Sequence, residues 1–141
     1  DFSQMKDFYF YATEEHVQHP LVKYLARHNN IILMERKNLK NSILKLAQVL
    51  KMGKNVVIFP EGSRTHSGEI GKFKKMFAIL AIELDVPVLP VCIRGAYEAL
   101  PRGKHFVNTS HIDVEYLPVV KPSGDYDEFA GKIRNIINDK L

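Results

Sequence analysis

Along the chain, short dense runs of apolar residues alternate with stretches in which apolar residues recur every three or four positions. Phe8 to Thr13 (Phe-Tyr-Phe-Tyr-Ala-Thr) is aromatic-rich and predicts a first strand, Ile31-Ile32-Leu33-Met34 a second and Val56-Val57-Ile58-Phe59 a third. Pro20 opens the stretch Leu21 to His28, whose apolar positions 21, 22, 24, 25 and 26 predict a short buried helix ended by Asn29-Asn30. Leu39, Ile43, Leu46, Ala47 and Leu50 fall at helical spacing, with Asn38 or Asn41 as the cap and Gly53 as the stop. Lysines hold most of that helix's other face. Such a face is ordinarily solvated, with contact to a membrane as the alternative.

Phe73 to Leu84 predicts a further helix whose apolar residues nearly encircle its axis, so it is expected to be buried on most sides. Core packing accounts for that most simply, and an acyl chain is the other reading. Val86 to Ile93 predicts a buried strand of parallel type, and residues 96–108 a basic, solvated loop. Ile112 to Leu117 alternates as a half-exposed edge strand does, and Phe129, Ile133, Ile136 and Ile137 mark a terminal amphipathic helix. Strands alternating with helices predict an α/β fold with a mostly parallel central sheet and helices on both faces.

Polar groups gather where the buried strands end. Pro60 halts the third strand because proline donates nothing to a sheet ladder, and Glu61-Gly62-Ser63-Arg64 follows at once. In open α/β sheets the carboxyl ends of strands are where ligands bind. Gly62 permits a tight turn at positive φ, and Arg64 offers a planar fork of donors suited to phosphate or carboxylate. Right-handed crossovers would bring Arg36, residues 61–64 and Arg94 to one edge, with Lys72, Lys74 and Lys75 at the start of the helix beyond. An ordinary strand exit carrying solvated charges is the plain alternative.

Composition narrows this modestly. At 141 residues the chain suits one domain with a real core. Its net charge of +4 is compatible with an anionic partner without requiring one. Cys92 sits inside an apolar run and reads as a core residue. His16-x-x-His19 lacks a clear third ligand, so no metal site is expected. No apolar run approaches the roughly 18 residues of a membrane span. Neither G-x-G-x-x-G nor G-x-x-x-x-G-K-[ST] is present, which argues against a nucleotide-binding domain, and no nucleic-acid partner is expected.

Phe59-Pro60-Glu61-Gly62-Ser63-Arg64 resembles the F-P-E-G-[TS]-R block of the glycerolipid acyltransferases, the glycerol-3-phosphate and lysophosphatidic acid acyltransferase family. Three more segments match in order: Asn30 to Arg36 resembles G-x-[IV]-F-[IV]-[DE]-R, Phe73-Lys74-Lys75 resembles F-K-[KR]-G, and Val86 to Val91 resembles V-P-[IV]-[IVL]-P-[IV]. The likeness runs from about Phe8 through Tyr116. Asn30 and Met76 replace two glycines of the pattern. Asparagine can keep a left-handed turn, whereas Met76 narrows whatever space glycine left.

The resemblance implies transfer of a fatty acyl group from acyl-CoA or acyl carrier protein to a hydroxyl of a lysophospholipid or glycerol phosphate. It implies no bound cofactor. By motif, Arg36 and Arg64 would bind the acceptor phosphate, Glu61, Gly62 and Ser63 would shape its site, and Lys74 and Lys75 are further candidates. The family's H-x-x-x-x-D motif is absent, since no histidine here has aspartate five positions later. Asp1 stands at about the right distance to be its aspartate. The expectation is therefore one acyltransferase-like domain over 1–141, cut at or just after that motif and inactive without the upstream histidine. Arg94 to Pro101 carries a weaker likeness to acyltransferases fused to acyl-activating enzymes. One reactant lives in a bilayer, so the expected location is the cytoplasmic face of a membrane, peripheral or anchored through regions outside the chain. A non-catalytic lipid- or phosphate-binding module of the same fold is the alternative.

Overall fold

The aromatic run Phe8–Thr13 forms strand β1, the middle strand of a three-stranded parallel sheet between β2 (Ile31–Met34) and β3 (Asn55–Ile58). Registers are set by Phe10 opposite Ile31 on one side and Phe8 opposite Asn55 on the other. Asn30 takes the left-handed conformation at φ 55°, as its substitution for glycine anticipates, and its carbonyl accepts from the Phe10 amide at 2.9 Å. The turn thus fixes where β2 joins the ladder.

The computed structural model describes residues 7–13, 30–34, 39–65, 67–101, 103–104 and 106–141. Asp1, the His16 and His19 pair, the helix expected from Pro20 to His28, and Arg36 lie outside the described residues. The chain divides into two units, Asp1–Phe59 and Pro60–Leu141.

In the first unit, helix α1 (Leu39–Lys51) packs on β2 and β3 and buries Leu46 completely. Asn41 lies inside the helix and so does not cap it; Asn38 lies outside the described residues. The chain turns at Gly53, φ 73°, and Lys54 pairs with Asp7 just ahead of β1. That carboxylate, by hydrogen bond and charge, raises the Lys54 pKa above its ordinary 10.5. The Tyr11 hydroxyl is buried with no hydrogen-bond partner among the described residues, and burial pushes its pKa above 10.0.

The second unit has helix α2 (Met76–Leu84), strand β4 (Val91–Arg94), the single helical turn α3 (Ala96–Ala99), strand β5 (Asp113–Tyr116) and helix α4 (Tyr126–Asn138). Its core is aromatic. Phe77 meets Phe73 edge-on at 6.2 Å and Phe129 at 6.4 Å, and α2 packs on α4. Phe77, Ala78, Leu80 and Ala81 are all buried, so protein packing satisfies much of the apolar surface of α2.

Two expectations change here. The segment Val86 to Ile93 is not one buried parallel strand: β4 starts only at Val91 and pairs antiparallel with β5, Val91 opposite Tyr116. Pro87 and Pro90 have no amide to give a continuous ladder, and the chain between them makes one isolated bridge, Val88 with Val120. The connection from Gly95 to Ile112 carries the single turn α3 and brings β5 back beside β4 in the antiparallel sense. Gly95 is needed at that return: φ is 77°, and a β-carbon there would run into the backbone carbonyl of His111. The second change is that α2 begins at Met76 rather than Phe73: Lys75 is its N-cap, and just ahead of it the Lys74 amide donates to the Pro60 carbonyl at 2.8 Å.

Candidate functional site

Three successive residues, Phe73, Lys74 and Lys75, go three ways. Phe73 is buried against Phe77. The Lys74 backbone is tied to Pro60, and its side chain lies over Gly62, so closely that a β-carbon on Gly62 would sit 2.8 Å from Lys74 Cε. Lys75 leaves the turn and pairs with Asp127 of α4 at 2.6 Å. Lys74 is therefore part of the Pro60 to Arg64 turn, and Lys75 is engaged elsewhere.

The turn has the shape its residue types dictate. Gly62 adopts φ 72°, a conformation costly for any residue with a β-carbon. Beyond it, Ser63 and Arg64 are exposed. Glu61, Ser63 and Arg64 line a cleft of about 350 Å³ with Thr65, Ile70 and Lys72. Arg64 Nη1 approaches the Leu100 carbonyl at 3.5 Å, the outer limit of a hydrogen bond, so most of its donors face the cleft and solvent unspent. Lys72 lines the same cleft, whereas the Lys74 side chain lies over Gly62 and is not among the lining residues. Met76, expected to narrow this space, is not among the residues lining the cleft.

Glu61 plays a different part from the arginine. Its Oε2 accepts from the Gly71 amide at 2.8 Å in a partly buried setting, closing residues 61–71 into a loop. A β-carbon at Gly71 would stand 2.9 Å from the same oxygen and push the Glu61 carboxylate aside. Inside the loop, Thr65 Oγ1 donates to the Glu69 carbonyl at 2.8 Å and accepts from the Ser67 amide at 3.3 Å. From outside, Arg134 of α4 donates through Nε to the Gly71 carbonyl and through Nη2 to the Ile70 carbonyl, both at 2.9 Å. Sequence reasoning missed Gly71 and Arg134. A glycine in a polar loop and an arginine beside an apolar helical stripe carry no mark of a partner 63 residues away.

Arg94 does not join the site. Its guanidinium is held by Glu115 at 3.0 Å and by the Lys140 carbonyl at 2.8 Å, and the hydrogen bond to the Glu115 carboxylate raises its pKa further above its ordinary value. His111 pairs with Asp113 at 3.1 Å but is 86% exposed and does not line the cleft, so nothing shields it as a base working there would need. Asp1 and Arg36 lie outside the described residues. Among the described residues no group of three or more His, Cys, Asp or Glu is placed to hold a metal ion, and no helix is long and apolar enough to cross a membrane.

Comparison with known proteins adds a family to this geometry. A family model described as Acyltransferase matches residues 2–94, which include the turn, the Phe73-Lys74-Lys75 segment and β4. A 1-acyl-sn-glycerol-3-phosphate acyltransferase of Cocos nucifera is 30% identical over 121 residues, covering 83% of this chain and 39% of that protein. The alpha form from Mus musculus is 29% identical over 115 residues, 74% of this chain and 40% of that one. Among solved structures, the 1-acyl-sn-glycerophosphate acyltransferase PlsC of Thermotoga maritima superposes with a TM-score of 0.80 at 26% identity, covering 95% of this chain and 55% of that one. The chain spans about two-fifths of the length of the curated relatives it matches.

Proposed function

The chain belongs to the Acyltransferase family, and on that footing we propose that it forms part of an O-acyltransferase of phospholipid biosynthesis whose acceptor is 1-acyl-glycerol-3-phosphate. The relatives named above are called by that acceptor, and the Gly62 turn supplies what its phosphate requires. The observation that carries the reading is Arg64, exposed at the cleft with its donors largely unspent, two residues beyond the Gly62 turn. A bidentate guanidinium contact orients a phosphate as well as attracting it. Ser63 borders the same cleft, and Glu61 maintains the loop that walls it.

In the reaction, the acceptor hydroxyl oxygen attacks the thioester carbonyl carbon, the carbon–sulfur bond breaks, and the hydroxyl proton ends on the released thiol. The donor is an acyl thioester of coenzyme A or of a carrier protein. Holding the phosphate fixes the hydroxyl at a set distance from the anchoring cations, which is how a binding group remote from the chemistry lowers the barrier. A base must take the proton. We assign that step to a histidine paired with Asp1, and we take Arg36 as a further ligand of the phosphate. The acceptor is a single-tailed lipid, so we place the reaction at a membrane surface.

The direct test is transfer by the purified full-length enzyme from labelled acyl thioester to lysophosphatidate, with the dephosphorylated monoacylglycerol as control. Product from the first acceptor and little from the second is expected. Equal transfer to both would contradict a phosphate-reading site.

A further inference from the structure

We propose that Arg134 is a positioning residue for the acceptor site, acting through the peptide between Ile70 and Gly71. The inference about the acceptor rests on the function proposed above; the clamp itself does not. Arg134 lies beyond residues 2–94, to which the family model extends.

The geometry is a relay through one short segment. Arg134 donates to two successive carbonyls, Ile70 and Gly71, each at 2.9 Å, from two different nitrogens of one planar group. Two donors in a rigid fork fix the two peptide planes flanking Gly71 relative to each other, which a single contact cannot do. The Gly71 amide, which shares one peptide plane with the Ile70 carbonyl, donates to Glu61 Oε2 at 2.8 Å. Arg134 therefore controls the segment that holds the carboxylate next to Gly62.

The same segment is a wall. Glu69 and Ile70 line both the cleft that contains Arg64 and a second hollow of about 400 Å³ on the Arg134 side. Space on both sides means that packing alone does little to locate the wall. At its start the loop is held by its own Thr65 contacts; at its end it depends on Arg134 and Glu61. Helix α4 is a firm base for the clamp. Asp125 caps it by accepting from the Asp127 and Glu128 amides at 2.8 and 2.9 Å, and Phe129 and Ile133 anchor it in the core.

Arg134→Met and Arg134→Lys in the full-length enzyme test this with two readouts. In Arg134→Met, amide hydrogen exchange at Gly71 should quicken roughly tenfold or more while α2 exchanges as before. An unchanged rate overturns the clamp. The same variant should raise KM for lysophosphatidate about tenfold and leave KM for the acyl thioester within about twofold. Arg134→Lys, able to serve one carbonyl at a time, should recover part of both effects, and it carries both measurements should the methionine variant fail to fold. Acceptor and donor KM rising together, or an acceptor KM unchanged while the loop exchanges faster, overturns the positioning role. A wild-type enzyme that acylates nothing when given lysophosphatidate refutes the acceptor instead, and the exchange rate still decides the clamp.

Discussion

Each of the two units has its own means of internal cohesion. In the first, a parallel sheet and one helix are fixed by backbone ladders and by apolar periodicity: β1 takes partners on both edges and Leu46 fills the space beneath α1. In the second, the features that shape the cleft are single side chains acting on distant backbone, Glu61 on Gly71 and Arg134 on Ile70 and Gly71. The contrast separates scaffold from site. Ladders repeat, so each contact is one of many; among the described residues the cleft hangs on a few long-range contacts, as ligand sites on loops generally do.

The largest effect expected is on the second unit's core. Phe129→Ala removes a fully buried ring shared with Phe77 and should cost about 3–5 kcal/mol, read as a lower denaturant midpoint of the full-length protein. Gly95→Ala should cost about 3 kcal/mol, combining left-handed strain with the collision on the His111 carbonyl. A loss under about 1 kcal/mol would mean that the β4 to β5 return is softer than its geometry indicates. Gly62→Ala should be milder in stability, about 1–2 kcal/mol, because the atoms it meets are the movable end of Lys74. Its damage should appear in acceptor kinetics, where displacing that ammonium matters.

Legibility followed the same division. Strands β1, β2 and β3 show in the sequence as short dense apolar or aromatic runs, and helices α1 and α4 because their apolar residues recur with the helical period. The turn at Gly62 was legible for another reason: glycine between charged residues after a proline-stopped strand has few other uses. The left-handed Asn30 followed equally from residue type. What could not be read was pairing over distance. Arg94 sits at a strand exit just as Arg64 does, yet Glu115 and the Lys140 carbonyl claim it. Lys74 and Lys75 are adjacent and alike, and only the position of Asp127 separates their fates. The antiparallel sense of β4 likewise depended on where β5 returned, not on the apolar run itself.

Smaller effects sharpen the picture of the scaffold. Tyr11→Phe removes a buried hydroxyl without a described partner and should leave the first unit as stable or steadier by up to about 1 kcal/mol. A clear loss would reveal a hydrogen bond to that hydroxyl. The Lys54 and Asp7 pair bears on alkaline stability. Because the folded pKa of Lys54 is raised, its contribution is complete below the unfolded value of 10.5 and fades as pH climbs through the folded one. Unfolding of wild type and Asp7→Asn, compared from about pH 9 to 12, should therefore show a small gap that closes at the alkaline end. A gap that widens there would reverse the sign assigned to the pair.

The central claim is that Arg64 grips the acceptor's phosphate, and Arg64→Ala in the full-length enzyme addresses it most directly. Losing a charge-assisted contact of this kind should lower kcat/KM for lysophosphatidate by roughly a hundredfold, with KM for the acyl thioester unmoved. Wild-type kinetics on the phosphorylated acceptor, in a folded variant, would contradict the account.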